Sequence, residues 1–263
     1  MILTYIWHDC FVFSDENASI VFDFWKDPTA KEDVIPEFIT GLDKSKPLYV
    51  IVSHHHKDHY TKRIFEWSKI FTNIHYVLSK DVVKYCRHIL NPDSIYSGPK
   101  PSPDSIIRLT NGESYEDDIV RIDAFGSTDI GNSYAIKIGG KTLFHAGDLN
   151  AWIWKEESTE EEVEQAINDY NRILETIHSR YRYFDIAMFP VDSRIGSGYY
   201  TGAKIFVRKF EVAHFFPMHF GLGDTDAEQK RYQRDAAIIS NYANEERGEY
   251  ICLQAPYSSF SEP

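Results

Sequence analysis

No part of this chain restricts its fold more tightly than Leu48–Ser53, LYVIVS, followed at once by His54-His55-His56-Lys57-Asp58-His59. A short continuous apolar run of this kind predicts a strand buried on both faces, which requires a sheet covered on either side. That excludes a helical bundle and an open sheet with one wet face. At its C-terminal end the strand delivers four potential metal ligands, His54, His56, Asp58 and His59, within six residues. Imidazole and carboxylate without a nearby thiolate suit zinc, manganese or iron at a working site rather than a purely structural zinc. In extended chain alternate residues share a face, so His54 and His56 reach one metal. A turn then brings Asp58 and His59 to a second, as in two-metal clamps. A surface histidine cluster is the bland alternative, and the position directly after a buried strand argues against it.

The remaining pattern supplies the sheets. Ile2–Trp7, Cys10–Phe13 and Ala18–Trp25 read as strands separated by turn chemistry at 14–17. Ile106–Leu109, Ile119–Ala124 and Ser133–Ile138 alternate, with Asn111-Gly112 and Gly139-Gly140 as hairpin-type turns. Lys141–Phe144, Asp185–Val191 and Val212–Met218 add further strands. Helices are expected over Asp81–Leu90, after Ser158 with Glu161 as a capping box, and from Thr225 with Glu228 toward Asn244. Lys26–Lys46 reads as a crossover with one short helix. β-rich blocks interrupted by helices predict an α+β chain of two sheets with helices packed outside, in a single domain over 1–263.

Composition sets further bounds. The 263 residues hold 17 Phe, 17 Tyr and 5 Trp, which is incompatible with disorder. The net charge of -12 disfavours nucleic acid and anionic membrane as partners, leaving a small-molecule substrate, and a homo-oligomer is compatible with the pattern. Cys10, Cys86 and Cys252 form no even disulfide set, the apolar N-terminus lacks a basic leader, and no run approaches the ~18 apolar residues of a membrane span. Cytoplasmic location is the expectation.

His54-x-His56-x-Asp58-His59 matches the H-x-H-x-D-H signature and, with His145-Ala146-Gly147-Asp148 and Phe216-Pro217-Met218-His219-Phe220, resembles the metallo-β-lactamase superfamily along nearly the whole chain. The early Trp7-His8 and the latter two blocks are similar to the branch that contains ascorbate-6-phosphate lactonase and related metal-dependent hydrolases. The resemblance implies a four-layer αβ/βα sandwich in which His54 and His56 hold a first metal. Asp58, His59 and His219 would hold a second, and Asp148 would bridge the two. Zinc is the favoured cation, as one or two ions, with manganese and iron accepted by the same donors. One motif departs: where the superfamily places a further first-site histidine, this chain has Gly126-Ser127-Thr128-Asp129-Ile130-Gly131. A serine hydroxyl is a poor ligand, so Ser127 predicts a weaker first metal, and Asp129 stands two residues away as a replacement.

Around this set, His145 reads as a hydrogen-bond partner of the ligands or a core histidine, and His8 as a site-facing or packed residue. His55 is expected to point away by strand alternation, and His214 to pack. Trp152 and Trp154 are candidates for an aromatic substrate wall, with helix anchoring as the alternative. Arg194 is either a substrate contact or the partner of Asp192. The function expected is hydrolysis of a small ester, lactone or phosphodiester, with Asp58, His59 and Asp148 as catalytic residues. The alternatives are a phosphodiesterase or nuclease on the same scaffold, a metal-binding or ligand-sensing protein with an eroded site, and iron-based redox chemistry.

Overall fold

The computed structural model describes residues 1–31, 34–239, 248–253 and 255–262. Among them, strands β1 (Ile2–Trp7), β2 (Cys10–Ser14), β3 (Ser19–Phe22), β4 (Leu48–Val52), β5 (Ile74–Ser79) and β6 (Ile106–Leu109) belong to one sheet. Strands β7 (Ser114–Glu116), β8 (Val120–Phe125), β9 (Ser133–Ile138), β10 (Lys141–His145), β11 (Tyr183–Pro190), β12 (Glu211–Met218) and β13 (Glu249–Tyr250) form the other, while β14 (Ser259–Ser261) returns to pair with β1. The sheets repeat one plan. In each, an antiparallel meander (β1–β2–β3, and β7–β8–β9–β10) leads into parallel strands, β4–β5–β6 and β11–β12–β13.

β4 shows why its apolar run is continuous. Tyr49 and Ile51 enter the core between the sheets, whereas Leu48, Val50 and Val52 face a second core with Ile64, Phe65, Trp67 and Val82 on the outer side. The inner core spans the sheets directly, with Phe11 edge-on to Phe216 at 6.3 Å and Tyr5 stacked on Phe220 at 5.8 Å. Tyr170 and Leu174 of the helix Glu160–His178, and Phe206 of the helix Thr201–Lys209, cover the far side of the second sheet. The α+β four-layer sandwich is therefore present.

Local expectations shift in several places. The helix read over Asp81–Leu90 is broken at Cys86 into Lys80–Tyr85 and Arg87–Leu90, because Cys86 leaves helical geometry at ψ 19°. The capping box lies one residue later, Thr159 with Glu162, while Thr225 with Glu228 forms as expected. That last helix is Asp226–Ala236, and its continuation toward Asn244 lies outside the described residues. Gly139-Gly140 joins β9 to β10, but Asn111-Gly112 carries the chain from one sheet to the other instead of closing a hairpin. The run read over Ala18–Trp25 ends as a strand at Phe22, where Asp23 turns into the left-handed region at φ 41°. β5 and the helix Thr201–Lys209 have no counterpart in the sequence reading.

Candidate metal centre

The parallel strands deliver their C-terminal ends to one edge of the sandwich. β4 ends at the 54–59 loop, β10 at His145–Asp148, β11 at Asp192 and β12 at His219, while the β1–β2 hairpin points its two turn residues, His8 and Asp9, at the same place. Among the described residues, four of the five non-glycine residues with positive φ border this edge: His8, Asp23, Trp152 and His219. Such strain concentrates where a site over-determines its backbone. Two glycines let the loops close. A Cβ on Gly131 would lie 2.1 Å from the Ser53 carbonyl oxygen, and one on Gly147 would lie 2.7 Å from Ser53 Cβ.

Asp148 sits at the centre. Its Oδ1 is 3.1 Å from His59 Nε2 and 3.3 Å from His219 Nε2, and its Oδ2 is 3.2 Å from His54 Nε2. His54, His56, Asp129 and Asp148 present donor atoms all within 4.8 Å of one another, and so do Asp9, His59, Asp148 and His219, and His8, Asp58, His59 and His219. Residues from 9 to 219 thus converge on two adjoining positions that share Asp148, the arrangement a bridging carboxylate requires, while His8 and Asp58 meet His59 and His219 in a third group without it. The Ser127 hydroxyl accepts the Asp129 N–H at 3.3 Å, and Asp129 is brought toward His56, at 3.6 Å.

The imidazoles are held by partners absent from the sequence reading. Asp23 accepts the Ser53 N–H at 2.7 Å, the Ser53 hydroxyl at 2.5 Å and His59 Nδ1 at 2.9 Å. With its own proton given to Asp23, Ser53 Oγ accepts from His54 Nδ1 at 2.9 Å. One buried carboxylate therefore fixes the tautomers of both His54 and His59, leaving each Nε2 lone pair turned inward. Asp192 does the same for His219, 2.9 Å from its Nδ1. Arg194 is committed to that carboxylate, with Nε 2.8 Å from Oδ1 and Nη2 2.6 Å from Oδ2, which makes it the ion-pair partner of Asp192.

His8 faces the cluster, but its Nδ1 accepts the Gly221 N–H at 2.9 Å, so the proton of the neutral ring is on Nε2. Burial, with the charge of His219, pushes its pKa down to about 3, which keeps it neutral. It therefore turns an N–H toward the cluster, 3.1 Å from Asp9 Oδ2 and 3.5 Å from Asp58 Oδ2, and is not a nitrogen ligand. His145 also stays outside the donor groups: Nε2 contacts the Asp9 carbonyl at 3.0 Å, Nδ1 accepts the Gly147 N–H, and the ring stacks on Phe22 at 4.9 Å. His55 turns away to Asp81, and His214 to Glu249 and Glu262. Trp152 donates its indole N–H to the Asp148 carbonyl at 2.7 Å and sets its ring edge-on to His219 at 5.3 Å, whereas Trp154 is 44% exposed.

The electrostatics ask for cations. Burial opposes charge on His59 and His219, yet Asp148 and Asp9 overcome it and push both imidazoles well above their ordinary range. Burial likewise pushes the Asp9 carboxyl up, while His59 and His219 outweigh burial at Asp148 and hold its carboxyl down. Asp9 Oδ1 and Oδ2, His59 Nε2 and Asp148 Oδ1 are buried with no hydrogen-bond partner. Orphaned acceptors in this number are costly unless a positive ion satisfies them. The residues present fit a divalent metal.

Asp23 and Asp9 carry weak signals in the chain, an acid inside VFDFW and an acid beside the flagged His8. The comparisons agree with the geometry. Residues 2–164 match the family model described as a beta-lactamase superfamily domain. The UPF0173 metal-dependent hydrolase of Desulforamulus reducens is 24% identical over 229 residues, spanning 84% of each chain. Among solved structures, Igni18, a metallo hydrolase from the archaeon Ignicoccus hospitalis, has a TM-score of 0.64 at 15% identity and covers 100% of this chain and 99% of its own. The metallo-beta-lactamase fold protein YhfI from Bacillus subtilis has a TM-score of 0.61 at 10% identity, covering 99% of this chain and 100% of its own.

Proposed function

The chain belongs to the beta-lactamase superfamily, and from that premise we propose that it is a metal-dependent hydrolase of a small ester, lactone or phosphodiester. The observation that carries this reading is the set of buried, unpartnered donor atoms around Asp148. His54, His56, Asp129 and Asp148 would hold one divalent cation, and His59, His219, Asp148 and an aspartate the other, with zinc, manganese or iron as the ion. When bound, such a cation supplies Lewis acidity that polarises a carbonyl or phosphoryl oxygen and makes water nucleophilic near neutral pH.

The chain's own groups supply the rest. Asp58 is 28% exposed, so it reaches the mouth of the site, where it orients the attacking water and takes its proton. The His8 Nε2–H lies between two carboxylates, 3.5 Å from Asp58 and 3.1 Å from Asp9. Asp23 and Asp192 keep the imidazole lone pairs aimed inward, so little reorganisation accompanies the reaction. Trp152 closes one wall, and Trp154 beside it extends an apolar surface toward the substrate. The net charge of -12 favours a small substrate over long nucleic acid. Cys10, Cys86 and Cys252 form no disulfide among the described residues, which supports a cytoplasmic enzyme, and no described helix is long and apolar enough to cross a membrane. The resemblance of the Trp7-His8, Asp148 and His219 blocks to the lactonase branch supports a small ester, lactone or phosphodiester over a β-lactam.

The test is turnover of a chromogenic ester, a lactone and bis-(p-nitrophenyl) phosphate, with bound metal measured by mass spectrometry before and after chelation. Hydrolysis of one class, lost on chelation and restored by a divalent cation, is expected. A metal-loaded protein inert on all three classes would favour the sensor reading that the missing histidine at Ser127 suggests.

A further inference from the structure

We propose that Asp9, the second residue of the two-residue β1–β2 turn, is a ligand of the buried cation, joining His59, His219 and Asp148 and leaving Asp58 free at the mouth. The proposal rests on the metal-dependent reading above and adds to it a donor that the H-x-H-x-D-H signature does not contain. Asp9 is 0% exposed, and neither carboxylate oxygen has a hydrogen-bond partner. The His8 Nε2–H, 3.1 Å from Oδ2, is not aligned as a hydrogen bond to it. A carboxylate buried in this way costs several kcal/mol unless a positive charge arrives. Oδ2 lies 3.4 Å from His59 Nε2 and 3.9 Å from His219 Nε2, and all four ligand atoms of the set lie within 4.8 Å of one another. Three of the four residues leave one of these inward atoms unpartnered: Asp9 Oδ2, His59 Nε2 and Asp148 Oδ1.

The competing donors are placed differently. His8 Nε2 is 3.1 Å from Asp9 Oδ2, but the Gly221 N–H on Nδ1 makes Nε2 the protonated nitrogen, with no lone pair for a metal. Asp58 is partly solvated, so it does not need a cation to be tolerated.

Asp9→Asn keeps the shape of the turn and removes the charge. The full chain, stripped with chelator, is titrated with zinc or manganese alone, following retained metal and the melting temperature. Metal-free Asp9→Asn is expected to melt at or above the metal-free wild type. Its affinity for the tighter cation is expected to fall about tenfold or more, and further than in Asp58→Asn. Unchanged cation affinity in Asp9→Asn, or a larger loss in Asp58→Asn, overturns the proposal. A wild-type chain that binds no cation overturns the hydrolase reading as well, so the two failures are distinct. Should Asp9→Asn not fold, Asp9→Cys loaded with cobalt(II) reports on the position directly. Thiolate-to-cobalt charge-transfer absorption supports ligation, and its absence from a folded, cobalt-loaded variant refutes it.

Discussion

His59 and His219 on one side of Asp148, and His54 and His56 on the other, are the same side chain in different surroundings. His59 is fully buried and His219 nearly so, and each gives its Nδ1 to a buried carboxylate, Asp23 or Asp192. His54 is buried and reaches Asp23 only through the Ser53 hydroxyl. His56 is 45% exposed and faces Asp129, itself 40% exposed. A carboxylate behind an imidazole fixes its tautomer and raises its basicity, and withdrawal from water strengthens every charge interaction in front of it. On the two-cation reading proposed above, the inner half would hold its ion the more tightly. The rim half, where His56 meets His54 Nε2 at 2.9 Å and Asp129 at 3.6 Å with no buried carboxylate behind it among the described residues, would exchange its ion the more readily.

Four experiments probe that contrast, from the largest effect to the smallest. Asp148→Ala removes the carboxylate common to both halves, so both ions are expected to be lost and kcat/KM to fall on the order of a thousandfold. A variant that keeps one ion and most of its activity would show that the halves are independent. Removing a backing carboxylate comes next: Asp192→Asn should weaken only the inner cation, about 10–100-fold by metal titration, whereas Asp23→Asn should weaken both. Equal effects on the two ions in Asp192→Asn would break the comparison. Mild chelation should then strip the rim ion first, and Asp129→Ala should lose it at a lower chelator concentration still, with the inner ion retained. Two ions released together would erase the distinction.

The last experiment should leave the site untouched. Far from it, Asp123 is buried and accepts hydrogen bonds from Arg121, Ser114 and Tyr181. Burial alone would raise its pKa, but these partners hold it below the ordinary carboxylate value. Its contribution is therefore present above about pH 4 and lost as pH falls through the depressed native pKa. Asp123→Asn should cost about 3 kcal/mol in urea unfolding at neutral pH, with the gap to wild type narrowing in acid and metal retention unchanged. Altered metal retention would mean that the site is coupled to the whole second sheet.

Much of the frame was legible because its signals are local. The continuous apolar run of β4 and the alternation of β8 and β9 follow from which faces are buried. The 54–59 ligands lie within one turn of chain, so spacing alone suggests a shared ion. The Thr225–Glu228 box formed where it was read, because a cap depends on only four residues. Ambiguity entered where local signals compete. Ser158 and Thr159 both precede a glutamate by three residues, and the observed cap is the second.

By itself the sequence determined that two covered sheets would form and that imidazoles and carboxylates would gather at the end of β4. Whether Ser127 or Asp129 approached His56, whether His8 gave or took a hydrogen bond, and which carboxylates stood behind the ligands were decided only when the sheets packed. Asp23 lies 36 residues from His59, and Asp192 27 from His219. A single acidic residue leaves no periodic trace in a chain. Its burial, its missing partners and its distance to an imidazole come into being only with the tertiary contacts that enclose it.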